Sequence, residues 1–400
     1  MILFISHDAS VSGAPIVLLS LLRWIKNNTD LSFMILLRES GPLESEFAAI
    51  AQTLVFEHKF DVEKLQPKQN LFGRVMNKFG FEQFEKHSEK ELLHQYQRML
   101  KEKLFNSNID LIYSNTVTNG NVLEFLSDLS CPVICHVHEL DSAIKCSAWF
   151  SSFKQSQPRI SKYIAASKAV KNCLLEQHNV LEDCLYVVHE FIDPHHLLLK
   201  NSNLTRQEIF SKLDIPENAK LVCASGSINW RKGVDLFIQT ANYVLQDYAE
   251  TPVHFLWVGG QDEGKWMDEI WVDVCKLGYE NYIHFIGLVL NPFDYFMASD
   301  VFILVSREDP FPLVCLEAAL AQKPLLCFNQ SGGAQELIED DCGFVVPYLD
   351  TTAMANRILQ LIRSSFLRKQ FGQRAAQKVK DFYTIDIAAP KVLDIIFSCL

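Results

Sequence analysis

The segment SREDPFPLVCLEA, residues 306–318, combines carboxylates and prolines at spacings that suggest a binding site. Each proline disfavours the helical conformation in the residue before it, while proline itself suits the first turn of a helix. We therefore expect a helix to begin near Pro312. The amide hydrogens of its first turn have no acceptor inside the helix, and Phe311 has no side-chain oxygen that could cap them. Another group must satisfy these donors.

A second loop, SGSINWRKGVDLFIQTA, places Arg231 and Lys232 in front of a helix that we expect from about Val234. Two cations at a strand-to-helix loop suit a diphosphate, one as a planar fork and the other as a point charge. The alternative is a solvated basic turn. Open α/β sheets bind ligands beyond the carboxyl ends of their strands, and both this loop and the SRED segment follow apolar strands. Together they favour the diphosphate.

The first half opens on MILFISHDASVSGAPIVLLSLLRWIKNN, a strand followed by a helix with Pro15 in its first turn. Gly13 lies at the start of that helix, where the backbone could approach a ligand closely. An ordinary turn is the simpler interpretation. The sequence contains neither GxGxxG nor GxxxxGK[ST], which argues against NAD and P-loop sites.

Composition limits the class of protein. The 400 residues are 48% hydrophobic and 21% charged, which predicts two globular domains. A net charge of -11 without a basic block disfavours nucleic acid as the main partner. The 11 cysteines form no CxxC and indicate core thiols in a reducing compartment. Without a basic n-region or a spanning apolar run, we expect a cytoplasmic protein with no transmembrane anchor.

Short apolar strands alternate with helical patterns along both halves, which predicts an α/β protein with two doubly wound parallel sheets. The strand segments are MILFIS, LSFMILLR, IDLIYSN, PVICHVHE, YIAAS, LVCASG, VHFLWVGG, IHFIG, VFILV and PLLCF. Polar residues interrupt this pattern over 190–210. We therefore expect one domain over 1–195 and a second over 196–382, with a C-terminal helix over about 383–400 that packs back onto the first.

The order of these segments resembles the retaining glycosyltransferases of family 4, whose GT-B fold has two Rossmann-like domains with parallel sheets facing across a cleft. In that family two Glu residues bracket seven residues that include GFG, and a Gly-Gly pair and an acidic residue follow. Here the bracket is Asp309 to Glu317 with PFP inside, followed by Gly332, Gly333 and Glu336.

The resemblance implies a nucleotide-sugar donor whose diphosphate accepts hydrogen bonds from the amides of Leu313 and Val314. It also implies that Glu317 binds the ribose hydroxyls and that Asp309 holds a hydroxyl of the donor sugar. Ionised carboxylates suit both tasks because a hydroxyl can only donate to them. Glu308 stands beside Asp309, so either carboxylate could reach the sugar.

Other positions depart from the family pattern. Many members have Arg where Ser227 stands, so Arg231 supplies a second cation at the diphosphate or Lys232 acts alone. Phe311 and Gly13 complete the expected donor-binding set. The family's Asn-Gly before the interdomain Val-Asp is HEFID here, which leaves the role of Glu190 open. Basic groups can neutralise a diphosphate, so we expect neither a metal nor a cofactor.

The segment CHVHELDS resembles the family's histidine-containing strand end, with His138 as the matching residue. If the reaction retains the anomeric configuration, the leaving phosphate can itself take the acceptor proton. Catalysis then depends on stabilising that phosphate, with Lys232 facing it, and on positioning the acceptor. His138 and Glu139 would orient sugar or acceptor; a structural role is the alternative. Asn115 could line the acceptor cleft, although a polar turn is the simpler interpretation.

Residues 64–81 alternate basic and apolar side chains, an arrangement suited to lying on an anionic membrane. The alternative is a helix packed on its own domain with its charges in water. In the first case the protein is peripheral at the inner face of the membrane, and its acceptor is a lipid-linked glycan.

We therefore expect a glycosyltransferase that moves a sugar from a nucleotide diphosphate to a glycan or lipid-linked glycan, in surface polysaccharide or glycoconjugate biosynthesis. A sugar-nucleotide epimerase of the same fold and a non-catalytic regulatory partner that binds sugar nucleotides are the alternatives. An epimerase would not need an acceptor to act on the nucleotide sugar.

Overall fold

A computed structural model describes residues 1–57, 89–146, 150–199, 204–247, 250–260 and 265–400. The predicted membrane-binding segment 64–81 lies outside these residues. Among the helices that are described, none is both long enough and apolar enough to cross a membrane.

Thirteen strands are described. Those of the first half are β1 (Ile2–Ser6), β2 (Phe33–Glu39), β3 (Thr53–Glu57), β4 (Leu111–Ser114), β5 (Val133–Val137), β6 (Ile160–Ala165) and β7 (Leu185–Val187). Those of the second half are β8 (Lys220–Ser225), β9 (Val253–Val258), β10 (Ile283–Phe285), β11 (Val301–Leu304), β12 (Leu325–Phe328) and β13 (Gly343–Val346). All ten predicted strands are present, and β3, β7 and β13 are additional.

The helices alternate with these strands. In the first half they are α1 (Gly13–Asn28), α2 (Glu44–Ile50), α3 (Glu89–Phe105), α4 (Gly120–Phe125), α5 (Asp141–Cys146), α6 (Phe150–Ser156), α7 (Lys168–His178) and α8 (Pro194–Leu199). In the second half they are α9 (Arg206–Lys212), α10 (Val234–Asp247), α11 (Lys265–Leu277), α12 (Pro292–Ala298), α13 (Leu313–Leu320), α14 (Ala334–Ile338), α15 (Thr351–Arg363), α16 (Ser365–Phe382) and α17 (Ile385–Phe397).

The strands form two sheets, which confirms the predicted pair of doubly wound folds. The first has the order β3-β2-β1-β4-β5-β6-β7, and the second has the order β10-β9-β8-β11-β12-β13. Each strand pair of the second sheet is parallel. In that sheet the order reverses between β8 and β11, and such a switch point is where open α/β sheets bind ligands.

Both faces of the second sheet are apolar, as a buried parallel sheet requires. Leu221 and Cys223 of β8 belong to one buried cluster, while Val222 and Ala224 belong to another. Because successive side chains of a strand point to opposite faces, these two clusters fill the two sides of the sheet. The sheet therefore has a covered core on each side and leaves its strand ends for a site.

The chain divides into two compact units. The first comprises Met1–His136, Ile144–Tyr163 and Ile395–Leu400, and the second comprises Val137–Ala143 and Ile164–Asp394. The second unit thus contains the end of β5 as well as the whole second sheet. The domain boundary at 195 and the packing of the C-terminal helix stay predictions.

Candidate functional site

Helix α13 begins at Leu313, as the two prolines predict. Pro312 is its N-cap with φ -73° and ψ 118°, and no side chain caps the helix. Within the described part of the chain, the amides of Leu313 and Val314 have no hydrogen-bond acceptor. The helix is buried on its inner side, so its first turn presents unsatisfied donors and the positive end of its dipole to a ligand.

Lys232 lies at this site because the loop after β8 closes in a single turn. The Asn229 side chain accepts a hydrogen bond from the Lys232 amide at 3.0 Å, and Gly233 then adopts a left-handed conformation with φ 73°. A Cβ on Gly233 would lie 2.1 Å from the carbonyl oxygen of Val305, so glycine is required here. The basic turn is thereby packed against the end of β11.

The ammonium of Lys232 binds the carboxylate of Asp309, with Nζ 2.6 Å from Oδ2. Ser306 also donates to Oδ2 at 3.2 Å, and Asp309 is buried. Arg231 donates to the backbone oxygen of Glu308 at 2.8 Å, and its guanidinium lies 3.9 Å from Asp309 Oδ1. The structure therefore brings Arg231, Lys232, Glu308 and Asp309 together at the switch point.

The two carboxylates of the SRED segment have different partners. Asp309 is held by Lys232, whereas the Glu308 carboxylate accepts a hydrogen bond from Ser142 of α5. Ser227, which stands where many family members have Arg, is exposed and accepts from the Asn229 side chain at 2.9 Å.

Glu317 is one turn into α13 and is half-buried. Burial raises its pKa to about 7. Its carboxyl oxygens have no hydrogen-bond partner within the described residues. A desolvated carboxylate without a partner is costly, so this group is suited to a ligand that brings hydroxyl donors.

The Gly-Gly segment holds the backbone of Asp309 in place. Asp309 donates to the Ser331 carbonyl at 2.7 Å, and Gly333 donates to the Asp309 carbonyl at 3.1 Å. Gly332 has φ 128°, and a Cβ there would lie 1.8 Å from the Asp309 carbonyl oxygen. The backbone at Gly332 therefore lies too close to the backbone of Asp309 for any side chain, which explains the need for glycine.

Glu336, the acidic residue that follows, caps another helix of the second unit. Its carboxylate accepts from the amides of Lys168 and Ala169 at the start of α7, at 3.0 and 2.9 Å, and from His189 at 2.8 Å. Burial opposes ionisation of Glu336, but these hydrogen bonds outweigh it and lower its pKa. Its contacts are thus structural ones at the helix N-terminus.

His138 and Glu139 lie at the end of β5, where His138 is buried against Glu190. His138 Nδ1 lies 2.5 Å from Glu190 Oε1. Glu139 accepts from the His138 amide at 2.9 Å. Burial lowers the pKa of His138. The charge of Glu190, its hydrogen bond and the charge of Glu139 raise that pKa by more than burial lowers it, so the net shift is upward.

Phe311 is buried in the second unit, while Gly13 and Asn115 belong to the first. Gly13 is the first residue of α1 and is exposed, and a Cβ there would meet nothing within 4 Å. Asn115 is fully buried and donates to the Ala14 carbonyl at 2.8 Å. Asn115 thus fixes the start of α1.

One group of potential metal ligands occurs among the described residues. The ligand atoms of Asp141, Cys173 and His178 lie within 4.8 Å of one another, with Cys173 and His178 buried. His178 Nε2 lies 3.2 Å from Asp141 Oδ1.

Three contacts of the site could not be found from sequence spacing. Ser142 and Glu308 are 166 residues apart, His138 and Glu190 are 52 apart, and Glu336 reaches the start of α7 across 168 residues. A departure from the family pattern at Glu190 was the one signal that pointed to any of them.

Residues 205–378 match the model of the family described as glycosyl transferases group 1. This segment is a group 1 glycosyltransferase domain. It spans the second sheet and includes each element of the Lys232–Asp309–α13 site.

Curated relatives agree with this assignment over parts of their length. The amylovoran biosynthesis glycosyltransferase AmsD of Erwinia amylovora is 36% identical over 89 residues, covering 22% of this chain and 25% of the relative. The N-acetyl-alpha-D-glucosaminyl L-malate synthase of Bacillus anthracis is 27% identical over 203 residues, covering 48% of this chain and 51% of the relative. The matches therefore span about half or less of these relatives.

Solved structures confirm the GT-B glycosyltransferase fold for the whole chain. Anabaena Alr3699/HepE in complex with UDP-glucose superposes with a TM-score of 0.77 at 20% identity, covering 99% of both chains. WaaG, a glycosyltransferase involved in lipopolysaccharide biosynthesis, superposes with a TM-score of 0.70 at 14% identity, also covering 99% of both chains.

Proposed function

We propose that this protein is a glycosyltransferase that moves a sugar from a nucleoside-diphosphate sugar to a glycan or lipid-linked glycan. The observation that carries the proposal is the uncapped start of α13 beside Lys232, at the switch point of a group 1 domain. Lys232 is bound to Asp309, which stands four residues before the first residue of α13, so a cation lies close in the fold to free amides and the positive end of a helix dipole. This is the arrangement that stabilises a diphosphate, and in particular the charge that grows on it when the glycosidic bond breaks.

The donor would be held along the first two turns of α13. The amides of Leu313 and Val314, with Lys232 and Arg231, would bind the diphosphate. Glu317 would accept from the ribose hydroxyls, which explains why a half-buried carboxyl group without a partner among the described residues is kept at this position. Anabaena Alr3699/HepE, which has this fold, was solved with UDP and with UDP-glucose, which makes UDP-sugars the first donors to test.

The sugar would lie toward Asp309 and Glu308, whose carboxylates can accept from its hydroxyls. Lys232 would then be shared between Asp309 and the leaving phosphate. We infer a retaining reaction in which a phosphate oxygen takes the proton of the acceptor hydroxyl while that hydroxyl attacks the anomeric carbon. The protein's part is to stabilise the phosphate and to align the acceptor, so neither a metal nor a nucleophilic side chain is needed.

The process is proposed to be polysaccharide or glycoconjugate biosynthesis, because AmsD and WaaG are named for such roles. The experiment is to incubate the protein with a panel of nucleoside-diphosphate sugars, with and without extracted glycan and lipid-linked glycan acceptors. Acceptor-dependent release of nucleoside diphosphate supports the transferase.

Nuclear magnetic resonance of the product then gives the anomeric configuration, and an inverted configuration contradicts the retaining reaction. Interconversion of the sugar nucleotide without acceptor identifies an epimerase instead. Donor binding without turnover over the whole panel identifies a regulatory binder.

A further inference from the structure

Arg307 of the SRED segment binds the backbone of the turn that carries Lys232. The Arg307 amide donates to the Arg231 carbonyl at 2.8 Å, and its guanidinium nitrogen Nη1 donates to the Trp230 carbonyl at 2.7 Å. One residue therefore holds the two consecutive carbonyl groups that come directly before Lys232. Because both acceptors are backbone atoms, these bonds fix the path of the turn itself.

The guanidinium of Arg307 is in turn fixed by Asp235, in the first turn of α10. Nη1 donates to Oδ1 at 2.9 Å and Nη2 donates to Oδ2 at 2.7 Å, so the two planar groups form a bidentate pair. The Arg307 side chain is only 11% exposed. Burial opposes ionisation of Asp235, but the hydrogen bonds and charge of Arg307 outweigh it and lower the pKa of Asp235. A bidentate pair sets the orientation of the guanidinium, which a single ammonium could not do.

The ring of Trp230 packs against the same guanidinium. Its centroid lies 5.0 Å from the guanidinium carbon of Arg307, although Trp230 as a whole is 57% exposed. A cation over an aromatic face is attracted to it, so this contact adds to the hydrogen bond at the Trp230 carbonyl. Trp230, Arg231, Asp235 and Arg307 thus form one connected cluster, which we call the Arg307 clasp.

The clasp differs from the ion pair that also ties the turn to the SRED segment. Lys232 binds the Asp309 carboxylate, and both of these charged groups are assigned to the donor, one to its phosphate and the other to its sugar. The ion pair must therefore share its charges with the donor. Arg307 donates to Asp235 and to backbone carbonyls, none of which has a role toward the donor. Its bonds can persist while the donor engages the ion pair.

We propose that Arg307 is a positioning residue for sugar transfer: the clasp holds the turn on the SRED segment, so that the Lys232 ammonium keeps its place when the donor binds and the glycosidic bond breaks. This inference rests on the proposed function, because the diphosphate is the ligand of Lys232. Stabilisation of a leaving phosphate depends on a donor group that is already in position as charge develops. Arg307 acts only through Lys232 and does not itself bind the nucleotide sugar.

The first experiment measures the environment of Lys232 without any ligand. Magnetic resonance spectra of the lysine ammonium groups are recorded on full-length protein made with isotope-labelled lysine, and the Lys232 signal is assigned by its loss in Lys232→Ala. Because Lys232 binds a buried carboxylate, its signal in wild type should differ from those of exposed lysines. In Arg307→Ala we expect that signal to move toward the exposed lysines.

The second experiment is a double-mutant cycle on calorimetric affinity for UDP and UDP-glucose. Wild type, Arg307→Ala, Lys232→Ala and the double variant are titrated with both ligands. Arg307→Ala should weaken binding by about tenfold when Lys232 is present and by less than about twofold when it is absent. A merely structural role would weaken binding by the same factor in both backgrounds, so the cycle separates positioning from general destabilisation.

Two further variants test the chemistry of the clasp. Arg307→Lys keeps the charge but cannot bind both Asp235 oxygens and the Trp230 carbonyl with one planar group, so it should recover only part of the lost affinity. Asp235→Asn loosens the clasp from its other end and should move the Lys232 signal in the same direction as Arg307→Ala. It carries the test if Arg307→Ala folds poorly.

Arg374→Ala is the matched control, because it breaks an exposed arginine pair with Asp341 in the same unit; it should change neither the Lys232 signal nor the affinity. An unmoved Lys232 signal in the folded clasp variant would overturn the inference, and so would an equal loss of affinity in the two backgrounds. If the signal moves as expected but neither ligand binds wild type, the positioning of Lys232 stands and the proposed donor class is contradicted.

Discussion

Lys232 and Asp309 are 77 residues apart in the sequence and form an ion pair in which Nζ lies 2.6 Å from Oδ2. Their side chains are 14% and 7% exposed. The cation that we assign to the diphosphate is therefore already held by a carboxylate that we assign to the sugar. This pair fixes the position of the ammonium before any donor binds, which is the preorganisation that phosphate stabilisation requires.

Lys232→Ala is expected to slow sugar transfer more than it weakens the fold. Loss of one preorganised donor facing the leaving group should cost about 2–4 kcal/mol of transition-state stabilisation. Because the change also strands the buried Asp309 carboxylate, the free energy of unfolding should fall by about 1–3 kcal/mol. Steady-state kinetics and denaturant unfolding of the same preparations measure the two effects.

The double variant Lys232→Ala, Asp309→Asn separates them. Neutralising Asp309 should recover part of the lost stability while recovering none of the activity. Lys171→Ala, which breaks the exposed pair with Glu182, is the matched control and should leave both quantities unchanged. Full activity of Lys232→Ala would exclude Lys232 from the diphosphate site.

Glu317→Gln is expected to weaken donor binding by about 1–3 kcal/mol, the cost of losing a charged acceptor and leaving a ribose hydroxyl poorly paired. The test is calorimetric titration of wild type and variant with a donor and with its 2′-deoxy analogue. The deoxy donor should bind wild type more weakly yet lose much less in the variant. Equal penalties for both donors would contradict the ribose assignment.

Although Glu317→Gln is expected to weaken donor binding, it should stabilise the unliganded protein. Burial raises the pKa of Glu317 to about 7 from an ordinary value of 4.5, so the unliganded fold loses stability as pH rises through this interval. Above pH 7, Glu317→Gln should therefore unfold with a free energy about 1–3 kcal/mol higher than wild type. Thermal or denaturant unfolding at pH 5 and pH 8 checks this; a variant that is less stable at pH 8 would indicate a structural salt bridge.

Donor binding should itself depend on pH through Glu317. Hydroxyls donate to the ionised carboxylate, so binding favours loss of its proton, and affinity should rise with pH up to about 7 and then level. Calorimetry at pH 6 in buffers of different ionisation enthalpy should detect nearly one proton released by wild type and much less by Glu317→Gln. Equal proton release by the two proteins would contradict this linkage.

Gly332→Ala is expected to damage the donor site through the backbone. The new Cβ would lie 1.8 Å from the Asp309 carbonyl oxygen at φ 128°, and relief of that clash must move Asp309 away from Lys232. We expect a loss of about 2–4 kcal/mol in stability together with weaker donor binding. Gly278→Ala is the control, since φ there is 75° but nothing lies within 4 Å; it should cost about 1 kcal/mol and leave donor binding unchanged.

The start of α13 and the ten principal strands could be predicted because their causes are local. Two prolines fix the conformation around Pro312, and apolar runs such as VFILV can be buried on both faces only in a covered parallel sheet. Of the three additional strands, β7 and β13 have only three and four residues and carry no comparable pattern. They form because a neighbouring strand of the folded sheet supplies their hydrogen-bond partners.

The site was predictable in its residue types but only partly in its contacts. The family pattern identifies Asp309, Glu317 and the Gly332–Gly333 pair as site residues. The pairing of Lys232 with Asp309, in contrast, depends on two loops that meet at the switch point. Ser142 could not be identified as a partner because nothing local distinguishes it, and Glu190 was marked only by its departure from the family pattern. They become partners only in the folded chain, which brings them to buried polar groups that need a hydrogen bond.

The central claim is that the α13 N-terminus with Lys232 binds the diphosphate of a nucleotide sugar. Calorimetric titration of wild type and Lys232→Ala at pH 7.5 with UDP, GDP, ADP and dTDP and their glucose conjugates tests it most directly. The account predicts that at least one nucleotide and its conjugate bind wild type and lose at least about tenfold in affinity in the variant. Binding that is equal in the two proteins, or no binding of any of these ligands by folded wild type, would contradict it.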